Sequence, residues 1–286
     1  MLLDKTEQMK KTFPQRLTIT LLAVMLTMTS YAGVPKVGLV LGGGGAKGAA
    51  TIGALKVIER SGIKIDYIAG TSIGAIIGGL YASGYTLDEL ETLFLSQEWQ
   101  DVLESHRVDA KLKTLFHSRG IREFSDTRIP FWCVATERQS LAEVDFSSGD
   151  IVKAVRASMS IPELYEPVKW NDTELVDGGM VNNLPVDVVK EMGADIVIAI
   201  DLKQEDSNAL GISIGVGGLV DWFLSRPDID RYTINLEDVN VHIHPDLPDF
   251  TAMSFGHDNC ELMMNLGEQE AQTHWEELQR VRNLQR

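Results

Sequence analysis

Three glycine-marked stretches hold the residues equipped for chemistry. Gly70-Thr71-Ser72-Ile73-Gly74 has the form G-x-S-x-G and lies between an apolar run and a helical run. That is the setting of a serine presented on a sharp strand-to-helix turn. Glycines on either side remove Cβ atoms that would clash, and the helix N-terminus behind the serine favours negative charge. A serine nucleophile needs two further parts: donors for an oxyanion and a base. Gly42-Gly43-Gly44-Gly45-Ala46-Lys47-Gly48 also follows an apolar run and opens a helix. Its backbone amides make an anion cradle suited to the oxygen of a tetrahedral intermediate.

For the base, histidine is the usual candidate. The chain has His106, His117, His242, His244, His257 and His274, and none lies in a glycine-marked turn. His242 and His244 point to one face of a strand and look like metal ligands, but no third ligand is evident, so a surface or satisfied core role is expected. The third glycine-marked stretch offers another base. Val176-Asp177-Gly178-Gly179 ends a short strand and leads into Asn182-Asn183-Leu184-Pro185. Asp-Gly is a common turn dipeptide, yet two glycines and two asparagines exceed the turn chemistry one connection needs. A free aspartate, with a pKa of about 3.9, is a weak base at neutral pH. It serves if burial raises that value or if it contacts the hydroxyl directly.

The first glycine loop has a competing reading. Gly43, Gly45 and Gly48 satisfy G-x-G-x-x-G, and Asp66 follows at the distance of a ribose contact, as in a nucleotide-binding oxidoreductase. That reading leaves Gly70–Gly74 and Asp177–Gly179 unexplained. A P-loop fits worse, because Lys47 precedes Gly48 rather than a serine or threonine.

Hydropathy outlines the framework around these sites. Lys36–Leu41, Ile63–Ala69, Phe131–Thr136, Glu174–Val176, Asp195–Asp201 and Asn240–His244 read as strands. Helices are expected at about Ala46–Arg60, Ile73–Ala82, Asp150–Ser158, Pro185–Met192 and Asn259–Arg282. Apolar strands alternating with helices indicate a parallel sheet covered on both faces, an α/β fold. Gln97–Arg128 and Lys203–Arg231 lack strand signals and read as helical or loop insertions.

With 26 basic against 41 acidic residues, the chain of 286 carries a formal charge of −15. That argues against a nucleic-acid partner and against electrostatic docking on anionic lipid. Cys133 and Cys260 are too few for a disulfide scaffold and have no metal-site spacing. Near the start, Lys10, Lys11 and Arg16 precede an apolar run from Leu17 to Met28 and then Ser30-Tyr31-Ala32. A basic region, a short apolar region and a small-residue exit predict a signal peptide over residues 1–32. Export to the periplasm or the exterior is the corresponding expectation.

The three sites, in this order, resemble the patatin-like phospholipase family, which pairs a glycine-rich loop with a G-x-S-x-G serine and a D-G aspartate as a dyad without histidine. Gly38–Arg60 is similar to the family's opening strand, loop and helix, and Ile65–Gly79 to its nucleophile elbow. Ala154–Ile200, with RASMSIPELYEPV and LVDGGMVNNLPVDVVKEMGADIVIAI, is similar to its aspartate region. The resemblance implies a three-layer α/β/α sandwich with a mostly parallel central sheet over residues 33–286. It implies hydrolysis of phospholipid or other fatty-acyl esters, with transient membrane-surface contact and neither metal nor cofactor. Ser72 would be the nucleophile, Asp177 the base, and the amides of Gly43, Gly44, Gly45 and Ala46 the oxyanion hole. Gly70 and Gly74 would shape the elbow, Gly178 and Gly179 would support the aspartate turn, and Lys47 would tie the loop structurally.

Departures from the family bear on the site itself. Thr51 replaces a common histidine, and the short, divergent stretch Trp99–Arg128 stands where the family covers its acyl site. A lipid-binding protein without turnover is the alternative this leaves. Leu210–Leu224 (LGISIGVGGLVDWFL) is expected to rim the acyl pocket, touch lipid or pack as a buried helix.

Overall fold

A computed structural model describes residues 33–104, 108–162, 164–204 and 229–286. The expected leader at 1–32, His106 and the whole Leu210–Leu224 run lie outside the described residues. Lys36–Arg286 forms one unit.

An eight-stranded sheet runs through the middle of this unit. Its strands are β1 (Val37–Leu41), β2 (Tyr67–Thr71), β3 (Phe131–Glu137), β4 (Glu143–Phe146), β5 (Val168–Trp170), β6 (Thr173–Asp177), β7 (Ile196–Ile200) and β8 (Val241–Ile243). The order is β5-β6-β3-β2-β1-β7-β8, with β4 also paired to β3. β1, β2, β3, β7 and β8 are mutually parallel, and β4, β5 and β6 add antiparallel pairings at one side. β1 and β7 are buried at every position, which explains their uninterrupted apolar sequences.

Helices cover both faces. Leu39, Leu41 and Ile68 face α1 (Gly48–Ser61), α2 (Ile73–Ala82) and α9 (His257–Thr273). Val40, Ala69, Val197 and Ala199 face α7 (Val186–Glu191) and the apolar side chains Tyr232 and Leu236 of α8 (Ile229–Glu237). The fold is thus the expected α/β/α sandwich. The other α-helices among the described residues are α3 (Leu87–Leu95), α4 (Gln97–Glu104), α5 (Val108–Ser118), α6 (Ile151–Ser158) and α10 (Trp275–Leu284).

Three expectations need correction. The second strand is Tyr67–Thr71, not Ile63–Ala69. Asp66 ends the lead-in, where its carboxylate accepts hydrogen bonds from the Val37 N–H, Lys36 Nζ and Lys64 Nζ. The closing helix is two helices that meet at His274. The short strands β4 and β5, only partly buried at most positions, carry no apolar run and leave no signal in hydropathy.

α1 packs on α9 with almost no space between backbones. A Cβ on Gly53 would lie 1.8 Å from the Met264 carbonyl oxygen, and one on Gly267 would lie 2.0 Å from that of Ala50. Both obstacles are backbone, so the helices would have to separate. Overpacking of this kind costs about 1–3 kcal/mol. Gly267→Val is expected to lower the thermal melting temperature by several degrees; an unchanged melting curve would contradict this packing.

Candidate active site

The two glycine-rich turns sit at the carboxyl ends of β1 and β2. Strand order reverses around β1, whose neighbours β2 and β7 lie on opposite sides. The crevice outside such a switch point is where open α/β sheets bind ligands. Asp66 precedes β2, at the opposite end of the sheet from the glycine loop, and its carboxylate is already engaged. The ribose contact required by a dinucleotide reading is therefore absent from the loop's side.

Ser72 follows β2 directly and stands at the N-cap of α2 with φ 56° and ψ −124°. This left-handed backbone is strained for a residue with a Cβ. The turn closes only because its flanks are glycine. A Cβ on Gly70 would lie 2.5 Å from the Gly74 carbonyl oxygen, and one on Gly74 would lie 2.1 Å from that of Leu41.

Sheet register brings the serine and the aspartate together. Thr71 pairs with Val134 and Ala135 pairs with Asp177. Ser72, one residue further on, therefore stands level with Asp177 across β3. The Ser72 hydroxyl donates to Asp177 Oδ2 at 2.7 Å. Asp177 Oδ1 accepts from the Gly179 N–H at 2.7 Å. The aspartate is fully buried, and that burial raises its pKa from 3.8 to about 7, against the opposing pull of the Ser72 and Gly179 hydrogen bonds. Among the described residues, no histidine is hydrogen-bonded to either side chain.

The glycine loop is pinned from three directions. Gly42 N–H donates to the Ile200 carbonyl, Gly43 N–H to that of Asn183, and Ala46 N–H to that of Ala252. Gly43 and Ala46 are thus committed to holding the loop. Among the described residues, the amides of Gly44 and Gly45, two of the four expected donors, have no hydrogen-bond partner. Gly45, at φ 58°, backs onto the Ala252 carbonyl, where a Cβ would come within 2.4 Å. Lys47 is half-buried in the short helical turn Gly45–Lys47 that closes the loop.

Several supporting residues escape reading from sequence. The Ser72 N–H donates to Ser158 Oγ at 2.9 Å, a partner 86 residues away. The Asp177 carbonyl accepts from Thr136 Oγ1 at 2.8 Å. The two asparagines, conspicuous as surplus turn residues, have definite tasks. Asn183 donates through Nδ2 to the Gly43 carbonyl at 3.2 Å. The Asn182 carbonyl accepts from Thr71 Oγ1 at 2.8 Å, and its Nδ2 donates to Glu143 and Asp187. The loop after Asp177 is thereby tied to both the serine strand and the glycine loop. The substituted position, Thr51, is fully buried in α1, and among the described residues its hydroxyl has no hydrogen-bond partner.

Ser72 and Gly45 open onto a cleft enclosing about 340 Å³ of space, solvent at its mouth included. Its walls are apolar: Ile73 and Ile76 from α2, Met159 and Ile161 after α6, and Met253 and Phe255 before α9. None of these described wall residues comes from 99–128, the stretch expected to cover the site. Trp99, Val108, Leu112 and Phe116 of that stretch are instead buried in the core.

The chain belongs to the patatin-like phospholipase family, whose model matches residues 39–190. Lysophospholipase nte1 of Emericella nidulans is 36% identical over 185 residues, covering 60% of this chain and 12% of that protein. Lysophospholipase NTE1 of Yarrowia lipolytica is 40% identical over 185 residues, covering 59% and 13%. The chain thus spans about an eighth of the length of these curated relatives. The crystal structure of VipD from Legionella pneumophila shares the fold, with a TM-score of 0.51 at 13% identity, covering 86% of this chain and 67% of that one.

The backbone strain at Ser72 has a measurable consequence. Ser72→Ala and Ser72→Gly both remove the hydroxyl, but only glycine relieves the left-handed conformation. Strain of about 1–3 kcal/mol outweighs the roughly 0.4–1 kcal/mol by which glycine favours the unfolded chain. Urea unfolding is expected to show Ser72→Gly more stable than Ser72→Ala by about 1 kcal/mol; the reverse order would contradict the strained elbow.

Proposed function

We propose that this protein is a lipid acyl hydrolase that works through a Ser72–Asp177 dyad and an acyl-enzyme intermediate. The observation that carries this reading is the 2.7 Å hydrogen bond from Ser72 Oγ to a buried carboxylate, beside two unengaged amides and an apolar cleft. Asp177 takes the hydroxyl proton as Ser72 Oγ attacks the ester carbonyl carbon. The carbonyl oxygen becomes an oxyanion held by the Gly44 and Gly45 N–H groups. The tetrahedral intermediate then collapses, and the proton passes from Asp177 to the departing alcohol oxygen. Water repeats the sequence on the acyl-enzyme, with Asp177 again the base, and releases the fatty acid.

The acid–base demand fits the site. A base is most effective when its pKa lies near the working pH. An exposed aspartate falls about three units below neutrality, whereas burial brings Asp177 to about 7. The apolar walls favour an acyl chain, and membrane contact follows from an amphiphilic substrate. Relatives named as lysophospholipases support the substrate class.

Two measurements test the proposal. For a short-chain ester, kcat/KM is expected to rise with pH through a midpoint near 7 as Asp177 loses its proton; a midpoint near 4 would contradict a desolvated base. Ser72→Ala and Asp177→Asn, folded normally, are each expected to lose on the order of 10³-fold or more in rate. Wild-type rates in either variant would overturn the dyad. Stability supplies the matching sign. Because the folded-state pKa is raised, the folded protein holds this proton more tightly than the unfolded chain. The resulting stabilisation is complete below pH about 4 and is lost as pH rises through about 7. Asp177→Asn removes that slope.

A further inference from the structure

His242 and His244 acquire in the fold the third partner that sequence did not reveal. Ala199 pairs with His242 and Ile200 with Ile243, so Asp201, just past the end of β7, stands level with His244. The Asp201 N–H donates to the Ile243 carbonyl, continuing the ladder. Three side chains from two neighbouring strand ends therefore converge. One ligand atom from each of Asp201, His242 and His244 lies within 4.8 Å of the others. His242 Nε2 is 3.1 Å and His244 Nδ1 is 3.7 Å from the same oxygen, Asp201 Oδ2. A tetrahedral ion with ligands at 2.0–2.1 Å separates neighbouring ligands by about 3.4 Å, between those two values.

We propose that Asp201, His242 and His244 form a binding site for a divalent transition-metal ion of the zinc class. Two imidazoles and one carboxylate suit zinc or a neighbouring first-row ion and poorly suit calcium or magnesium, which take oxygen ligands. The carboxylate is held in place before any ion arrives. Oδ1 accepts from the Lys203 N–H at 3.0 Å, and the Tyr232 hydroxyl donates to Oδ2 at 2.5 Å. Partners of this kind orient metal ligands. The nearby cation, Lys203 Nζ, lies 4.0 Å from the centre of the Tyr232 ring, which accommodates it by cation–π attraction. Just beyond, Gln204 clamps the two strand exits by donating to the Pro245 carbonyl and accepting from the Leu247 N–H. The histidines remain 36% exposed, leaving a route for an ion and a place for water as a further ligand. His274 makes a useful contrast. Glu270 and Glu277 bond to its opposite ring nitrogens, so the trio cannot close on one ion.

The site lies close behind the glycine loop. Ile200, which precedes Asp201, holds the Gly42 amide; Leu202, which follows it, packs on Gly44. The chain beyond β8 and His244 leads on to Ala252, which holds Ala46. An ion bridging β7 and β8 would steady two of the loop's three supports, a positioning role separate from the Ser72 chemistry.

Zinc chloride titrated into the chelator-stripped full chain, followed by calorimetry, tests the proposal. One equivalent is expected to bind at micromolar Kd or tighter and to raise the melting temperature. Cobalt(II) is expected to show the intense visible absorption of a tetrahedral site. His242→Gln and His244→Gln should weaken binding at least tenfold, whereas His274→Gln should leave it unchanged. No stoichiometric zinc binding by the wild type, or equal binding by both histidine variants, would overturn the site. Should either variant fail to fold, the wild-type cobalt spectrum decides: octahedral, oxygen-type absorption or none would overturn the proposal.

Discussion

Asp177 has a carboxyl group shut away from water, and the local structure is arranged around that constraint. A buried carboxylate without partners is costly, and a protein tolerates one only where hydrogen bonds replace the lost solvent. Here the replacements are the Ser72 hydroxyl and the Gly179 amide. Both donors are delivered by tight turns in which a side chain would collide with backbone. A Cβ on Gly178 would lie 2.3 Å from the Val134 carbonyl oxygen, so the aspartate turn, like the serine elbow, requires glycine. The tension between desolvation and hydrogen bonding sets the carboxyl's pKa near neutrality, where proton exchange with a hydroxyl is useful.

Such a site needs rigid support, and the sheet provides it. Ser72 and Asp177 come from strands on either side of β3 and meet because the pairing register leaves no slack. Ser158 and Thr136 fix their backbones, and Asn183, Ile200 and Ala252 hold the glycine loop at three points. These restraints come from segments far apart in sequence, so the geometry is a property of the whole sandwich. The cleft walls come from the segments after α6 and before α9. The cleft lining can therefore vary without disturbing the serine and the aspartate.

Much of this was legible in the residues because glycine is informative where backbones nearly touch. The elbow, the loop and the aspartate turn each announced themselves in that way, and the apolar strands of a doubly covered sheet were equally plain. What stayed hidden depended on tertiary pairing. Nothing local distinguishes Gly44 and Gly45 from Gly43 and Ala46; only the carbonyls of Asn183 and Ala252 divide bound amides from unengaged ones. Ser158 and Thr136 are ordinary hydroxyl residues until the fold brings them to the site. Asp201 became a partner of His242 and His244 only through the parallel pairing of β7 with β8. The dinucleotide pattern is matched in sequence for a related reason, since spacing does not tell at which end of β2 Asp66 lies.

If Asp177, held against Ser72 in a dry site, activates that hydroxyl as a nucleophile, a fluorophosphonate probe labels the wild type rapidly, leaves Ser72→Ala unlabelled and labels a folded Asp177→Asn variant far more slowly. Labelling that persists in Ser72→Ala, or a folded wild type that takes no label, would refute this activation.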